Sequence, residues 1–310
     1  MKKVFIVGSA GTTGLVLKAR LAKRSDVELL EIEEGLRKDK DEIRRLIELS
    51  DFCFLCLPDA AALETAELAR GCGARIIDTS TAHRCSSGWV YGFPELSQKH
   101  RDSIAQAKYL ASPGCHASGI IALSYPLLQR GIIGTDYPLC CTSITGYSGG
   151  GKKMIEEYES PLRSSSLSSP MEYAMSQAHK HLPEIIAQCG LSQAPCFMPI
   201  VGSFYSGMLV SIPLHRSLMK KSCTITELRS IYKEHYADGG LITVMDDAPD
   251  KLYAGSMSGR DDMAIFISGN DDRIILSALY DNLGKGASGA ALQCFNIMTG
   301  TAEESGLNLK

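Results

Sequence analysis

Val4-Phe5-Ile6-Val7 runs directly into Gly8-Ser9-Ala10-Gly11-Thr12-Thr13-Gly14, and Leu15, Val16, Leu17 and Leu21 come next. The first four residues are an apolar, β-branched run of the kind that forms a buried strand. The later apolar residues mark one face of a helix. Glycines at a strand-to-helix turn let the backbone approach a pyrophosphate, which then rests on the helix N-terminus. The spacing is G-x-x-G-x-x-G, a departure from G-x-G-x-x-G, and a glycine triplet alone is equally compatible with an ordinary turn. The downstream segments give the triplet its context. Val27 to Ile32, Phe52 to Leu57 and Arg75 to Asp78 read as strands, and Asp41 to Leu49 and Ala60 to Arg70 as helices between them. Alternation of this kind predicts an α/β fold with a parallel, doubly wound sheet and ligands at the strand C-terminal ends. Leu57-Pro58-Asp59 and Asp78-Thr79-Ser80 fall on that edge.

From about residue 139 the pattern changes. Cys140 to Ile144, Phe197 to Val201, Met208 to Leu214, Ala264 to Ser268 and Arg273 to Tyr280 read as strands, the last two joined by a hairpin turn at Gly269-Asn270-Asp271-Asp272. Helices at Lys152 to Glu159, Pro183 to Gln188 and Thr226 to Tyr236 interleave with them. The expectation is an α+β second domain with a largely antiparallel or mixed sheet. Arg163 to Pro170 is serine-rich and reads as a surface loop. A helix from Ala287 to Met298, rich in small residues, ends the pattern.

The 310 residues, 45% of them hydrophobic, suffice for two domains. A net charge of −3 gives no electrostatic reason for a nucleic-acid or anionic-membrane partner. No apolar run is long enough to span a bilayer, so the expected location is the cytoplasm. Eleven cysteines is an odd count with no disulfide-framework spacing. Cys53-Phe54-Leu55-Cys56 matches C-x-x-C but lies inside a strand, where residues three apart face opposite ways, so no metal is expected. Cys53, Cys56, Cys72, Cys140, Cys141 and Cys294 read as small core residues.

Three clusters carry chemistry. In Ser112-Pro113-Gly114-Cys115-His116-Ala117-Ser118-Gly119, a turn signal precedes a helical apolar pattern and places Cys115 in the first helical turn. There the macrodipole and unpaired N–H groups favour thiolate, below the ordinary thiol pKa of about 8.5. The bland alternative is a small buried cysteine at a helix start. In Gln177-Ala178-His179-Lys180-His181-Leu182-Pro183-Glu184, either histidine is placed to exchange a proton with a thiol. Glu184 orients an imidazole or simply opens the helix that begins at Pro183. In Gly146-Tyr147-Ser148-Gly149-Gly150-Gly151-Lys152-Lys153, glycines and lysines before a helix suit an anion, but the pattern is not a Walker A loop. Arg84, just past the fourth strand, adds a bidentate phosphate or carboxylate ligand.

The cysteine segment, the Tyr-Ser-Gly-Gly-Gly-Lys run and His179-Lys180-His181-Leu182-Pro183-Glu184 together resemble the N-acetyl-gamma-glutamyl-phosphate reductase family. Trp89-Val90-Tyr91-Gly92-Phe93-Pro94-Glu95 and Asp281-Asn282-Leu283-Gly284-Lys285-Gly286-Ala287 extend the resemblance over nearly the whole chain, closest to the shorter of that family's two subgroups. The resemblance implies the fold of glyceraldehyde-phosphate and aspartate-semialdehyde dehydrogenases. In that fold, residues 1–113 plus 281–310 form a Rossmann-like NADP-binding domain, and 114–280 form a catalytic and dimerisation domain. It implies NADPH-dependent reduction of an acyl phosphate through a Cys115 thioester, in arginine biosynthesis, by a homo-oligomer (dimer or tetramer). His181 and His179 are the implied proton-transfer pair, with His181 favoured because it abuts the helix start. Gly8, Ser9, Gly11, Thr12, Thr13, Gly14, Arg37, Lys38, Pro58, Ser80 and Asn282 are the candidates for cofactor, and Arg84, Gly149, Lys152 and Glu184 for substrate.

Two questions stay open in the sequence. Glu31-Ile32-Glu33-Glu34 ends the second strand, and an acid there favours NAD through the ribose diol, whereas Arg37 and Lys38 suit the 2′-phosphate of NADP. The nearest rival is a sibling acyl-phosphate reductase acting on an aspartyl or aminoadipyl substrate; the His179-Lys180-His181-Leu182-Pro183-Glu184 run weighs against the aspartyl enzyme and leaves the longer-chain substrate open. A non-catalytic nucleotide sensor is disfavoured by the cysteine and the histidine pair.

Overall fold

The computed structural model describes residues 1–238 and 240–309, which divide into two compact units. The first comprises Met1–Gly114 and Ala287–Leu307. Its strands are β1 (Lys2–Val7), β2 (Val27–Leu30), β3 (Phe52–Leu55), β4 (Arg75–Asp78), β5 (Val90–Tyr91) and β6 (Tyr109–Ala111). They form one sheet in the order β2-β1-β3-β4-β6-β5, with every pairing parallel. Helices α1 (Thr12–Leu21), α2 (Lys40–Leu49), α3 (Asp59–Leu68) and α4 (Gln98–Gln106) connect the strands. The alternation of apolar strand and amphipathic helix therefore yields the doubly wound sheet it predicts. The last helix of the chain, α9 (Gly289–Thr299), packs on this sheet, with the Phe295 ring edge-on to Phe52 at 5.0 Å.

The stretch from β5 to β6 has no counterpart in the sequence reading. β5 is two residues long, and α4 is mostly polar, burying Ile104 alone, so neither leaves a period to detect. α4 is set instead by its cap, Ser97 Oγ accepting from the His100 N–H at 3.2 Å.

The second unit runs from Cys115 to Gly286. It contains α5 (Cys115–Gln129), β7 (Cys140–Gly146), α6 (Gly151–Glu159), β8 (Met171–Glu172), α7 (Leu182–Cys189), β9 (Cys196–Gly202), β10 (Met208–His215), α8 (Ile225–His235), β11 (Ile242–Val244), β12 (Met263–Asn270) and β13 (Arg273–Tyr280). Its sheet is mixed, in the order β11-β12-β13-β10-β7-β9-β8, parallel at β7–β9 and β11–β12 and antiparallel elsewhere. The β12–β13 hairpin turns where the sequence places it. Gly269 takes φ +105°, and Asn270 Oδ1 accepts the Asp272 and Arg273 N–H groups at 3.1 and 3.0 Å.

Asp281 to Gly286, expected with the first unit, lies with the second. The reason is Asp281, whose buried carboxylate accepts from Ser206 Oγ (2.9 Å), the Gly259 N–H, and its own loop at Leu283 N (2.6 Å) and Gly284 N (3.3 Å). The Asn308 N–H likewise reaches back to Asp261 at 2.7 Å. Lys310, the expected end of the first unit, lies outside the described residues. The serine-rich loop is not wholly irregular: Ser165–Ser168 is a 3₁₀ turn that buries Leu167. Of the cysteines read as core, Cys56 and Cys140 are only partly buried, Cys140 because it starts an alternating strand on the face turned away from Cys141.

Candidate active site

In the first unit the glycine turn is built as its sequence suggests. A Cβ on Gly8 (φ +85°) would lie 2.2 Å from the Cys56 carbonyl oxygen, and one on Gly14 would lie 2.3 Å from that of Gly8. Only glycine lets this turn close. Gly11 is the N-cap of α1, with no side chain capping it and no acid in the first turn, where Thr12 and Thr13 begin the helix. That leaves a helix N-terminus suited to an anion. A cavity of about 230 Å³ opens beside it, lined by Gly8, Ser9, Ala10, Ile32, Arg37 and Lys38. Glu31, the candidate for a ribose diol, is held by Lys18 at 2.6 Å, and Arg37 makes only a 3.4 Å exposed contact with Glu34. A glycine turn, an open helix end and two cations fit a dinucleotide carrying a 2′-phosphate.

The other candidates on this sheet edge are engaged in building it. Pro58 is the N-cap of α3 at the end of β3. Ser80 donates to Asp78 Oδ2 (2.7 Å) and accepts from Ala82 N (3.2 Å), and His83 Nδ1 meets the same Asp78 oxygen at 2.6 Å. Arg84, expected to hold phosphate or carboxylate, is buried and donates to the backbone carbonyls of Ser112 (2.9 Å) and Thr79 (3.2 Å). It thereby ties the backbone of Ser112 to the end of β4.

Cys115 opens α5 and is partly exposed. Its carbonyl accepts the Tyr280 hydroxyl at 2.6 Å, and that hydroxyl oxygen accepts the Gly119 N–H at 3.1 Å. Tyr280 thus stands in the first turn of the helix, where Cys115 C=O and Gly119 N–H would otherwise bond each other. The insertion explains Gly119, since a Cβ there would lie 2.6 Å from Tyr280 Oη and 2.7 Å from Val210 Cγ2. Gly286 is equally close on another side, its Cβ position falling 2.9 Å from Cys115 Cβ. Burial first, then the Cys115 sulfur nearby, push the Tyr280 and Tyr173 phenols up.

Three imidazoles gather near this turn. The His116, His179 and His181 rings are 4.7 to 5.6 Å apart between centroids, with Phe197 against His116 and His179. His116 is buried between Ser143 Oγ (2.7 Å) and Tyr173 Oη (2.9 Å), and the same Tyr173 oxygen is 3.3 Å from His179 Nε2. Burial, with the charges of His179 and Lys180 adding to it, lowers His116 to about 3. Burial and Lys180 lower His179 to about 4. His181 is the buried N-cap of α7 and donates its N–H to His179 Nδ1 at 3.1 Å. Glu184 is buried in the first turn of that helix. No group of three or more His, Cys, Asp or Glu side chains placed to hold a metal ion occurs among the described residues.

Two loop candidates sit differently. Asn282, expected at the cofactor, accepts from Gly207 N and donates to Ser148 Oγ, both at 2.9 Å, and so ties the glycine-rich loop carrying Gly149 to the β9–β10 turn. Lys152 is 81% exposed and reaches Glu156 at 3.7 Å, because it lies on the solvent face of α6. Tyr280, Tyr173 and Asp281 carry no motif of their own and escape the sequence reading. Tyr280 and Asp281 adjoin or open a segment already singled out, which is the one signal available.

Family models match both units: "Semialdehyde dehydrogenase, NAD binding domain" over residues 31–106 and "Semialdehyde dehydrogenase, dimerisation domain" over 115–282. The chain is 40% identical over 303 residues to the N-acetyl-gamma-glutamyl-phosphate reductase of Burkholderia cenocepacia, covering 96% of this chain and 97% of that one. Among solved structures, aspartate semialdehyde dehydrogenase from Francisella tularensis superposes with a TM-score of 0.74 at 15% identity, covering 96% and 100% of the two chains. The Candida albicans aspartate semialdehyde dehydrogenase, solved with NADP, gives 0.68 at 15% identity over 96% and 98%. The fold is therefore that of the semialdehyde dehydrogenases, and the chain belongs to the N-acetyl-gamma-glutamyl-phosphate reductase family.

Proposed function

We propose that this chain reduces N-acetyl-L-glutamyl 5-phosphate to N-acetyl-L-glutamate 5-semialdehyde with NADPH, releasing phosphate, as a step of arginine biosynthesis. The observation that carries the reading is Cys115 at the N-terminus of α5 with the His179/His181 pair beside the same turn, in a chain 40% identical to reductases of that name.

Cys115 is the nucleophile. Its thiol proton passes to His181, the thiolate attacks the acyl carbon, phosphate leaves, and a thioester remains. The N–H groups of the α5 first turn face the end of the helix where the carbonyl oxygen gains charge. NADPH supplies the hydride that reduces the thioester carbon. His181 returns its proton to the resulting oxyanion, then takes it back as the C–S bond breaks, freeing aldehyde and thiolate. His181 has this part because it abuts the start of α7, next to Glu184 in that helix's first turn. Arg37 and Lys38 hold the 2′-phosphate in the cavity at the end of β2.

The assay is phosphate-dependent reduction of NADP with N-acetylglutamate semialdehyde, with aspartate semialdehyde as comparison. Cys115→Ser is expected to lose nearly all turnover while still binding NADP, since a serine hydroxyl is a far weaker nucleophile. Full activity in that variant, or preference for the aspartyl substrate, would refute the reading.

A further inference from the structure

One arrangement of protons around the histidines leaves every donor, the Tyr173 hydroxyl included, with an acceptor. A backbone N–H can only donate, so His179 Nδ1 accepts from His181 and carries no proton of its own. Protonating it would set two N–H donors face to face at 3.1 Å. The neutral ring then bears its proton on Nε2 and donates to Tyr173 Oη. That hydroxyl has one proton to give, and its other ring partner is His116 Nε2 at 2.9 Å. His116 accordingly accepts at Nε2, carries its proton on Nδ1 and donates to Ser143 Oγ at 2.7 Å. The chain has a single direction: His181 N–H to His179, His179 to Tyr173, Tyr173 to His116, His116 to Ser143.

We propose that Tyr173 is a positioning residue of this site, whose hydroxyl accepts a hydrogen bond from His179 Nε2–H and donates one to His116 Nε2, locking both rings neutral in one tautomer. The proposal rests on the reductase reading for its functional half; the tautomers stand on geometry alone. The backbone supports it independently. Ala174 and Gln177 are the only non-glycine residues with positive φ among those described (+54° and +56°), and both lie between Tyr173 and His179. Such conformations are strained and persist where the surroundings hold them. The hold is visible. Gln177 donates to the Phe197 carbonyl and accepts its N–H, both at 2.8 Å, and Tyr173 N bonds the Pro199 carbonyl at 3.1 Å. The strained loop brings the phenol back onto the imidazole six residues later.

Nitrogen-15 NMR of the imidazoles in the full chain with NADP tests this without any change to the site. The ring signals are assigned by their disappearance in His116→Gln and His179→Gln. His179 is expected protonated at Nε2 and His116 at Nδ1, both neutral from pH 8 down to pH 6. The opposite tautomer in either ring, or a charged ring at pH 6, overturns the proposal. Tyr173→Phe is expected to leave His179 averaging between tautomers and to lower kcat about tenfold, with the KM for the acyl substrate changed less than twofold. Wild-type kcat together with an unchanged His179 tautomer in that variant would also overturn it. Absence of reductase activity in the unmodified chain would sink the reductase reading and leave the measured tautomers to decide the hydrogen-bond chain.

Discussion

Arg37 and Lys38 bear, at the level of single residues, on a conflict that the sequence states but does not resolve. Glu31 stands where an acid would take the ribose diol of NAD, but Lys18 holds its carboxylate at 2.6 Å, and that pairing lowers its pKa. Arg37 and Lys38 instead line the cavity beside the glycine turn. Replacing both with alanine is expected to raise the KM for NADP by roughly tenfold to a hundredfold, the loss of one or two charge-assisted hydrogen bonds of about 1.5–3 kcal/mol each. NAD kinetics should barely move, because NAD lacks the group these residues bind. Steady-state kinetics with both cofactors separates the outcomes, and an equal loss for the two would place the damage in the domain rather than at the phosphate. The residue types were legible here, and so was the position of Cys115 in a first helical turn. Illegible were the partners: neither the grip of Lys18 on Glu31, 13 positions away, nor the use of Arg84 on the Ser112 carbonyl, 28 positions away, is visible in the string.

Among the elements, α5 shows how a helix start can be set from outside the helix. Its apolar pattern was readable, and so was its beginning at Cys115, because a Pro-Gly turn precedes an apolar run. Its first turn was not, because Tyr280 belongs to a strand 165 residues later and takes the hydrogen bond that the helix would otherwise close on itself. Tyr280→Phe keeps the ring and removes the hydroxyl that holds Cys115 C=O and Gly119 N–H apart. The turn is then expected to tighten and shift Cys115. Misplacing a reacting group by about 1 Å can cost on the order of 10²-fold. The expected signature is a kcat loss of tenfold or more and slower alkylation of Cys115 by iodoacetamide, with NADP affinity unchanged, since the glycine turn and its cavity lie in the other unit. Alkylation and turnover at wild-type rates would show that the tyrosine only fills space. Sequence patterning missed β5, α4, β6, β8 and β11, which are too short or too polar to carry a period.

At the scale of the whole molecule the sheet of the second unit presents two unlike faces. One carries α5 and α8 over Val210, Ile212, Leu276 and Ala278, all buried. The other presents Thr142 and Ile144 of β7, Met198 and Ile200 of β9, Pro213 of β10 and Ile275 of β13, half-buried or exposed, in neighbouring register positions. Alternating strands leave apolar residues on both faces only where both are covered. The matching family model is described as a dimerisation domain, which makes a second copy of the chain the occupant to test for this face. Ile275 makes the test, because at 44% exposure it bears little on the fold of its own subunit. Ile275→Lys would bury an unpaired ammonium twice in a symmetric interface, at a cost of several kcal/mol per charge. Sedimentation at micromolar concentration is expected to show an oligomer for the unmodified chain and a predominantly monomeric species for the variant, with the melting transition of the monomer still cooperative. A variant that associates as tightly as the parent would move the interface to another surface. A parent that sediments as a monomer would leave the open face of this sheet to some other partner.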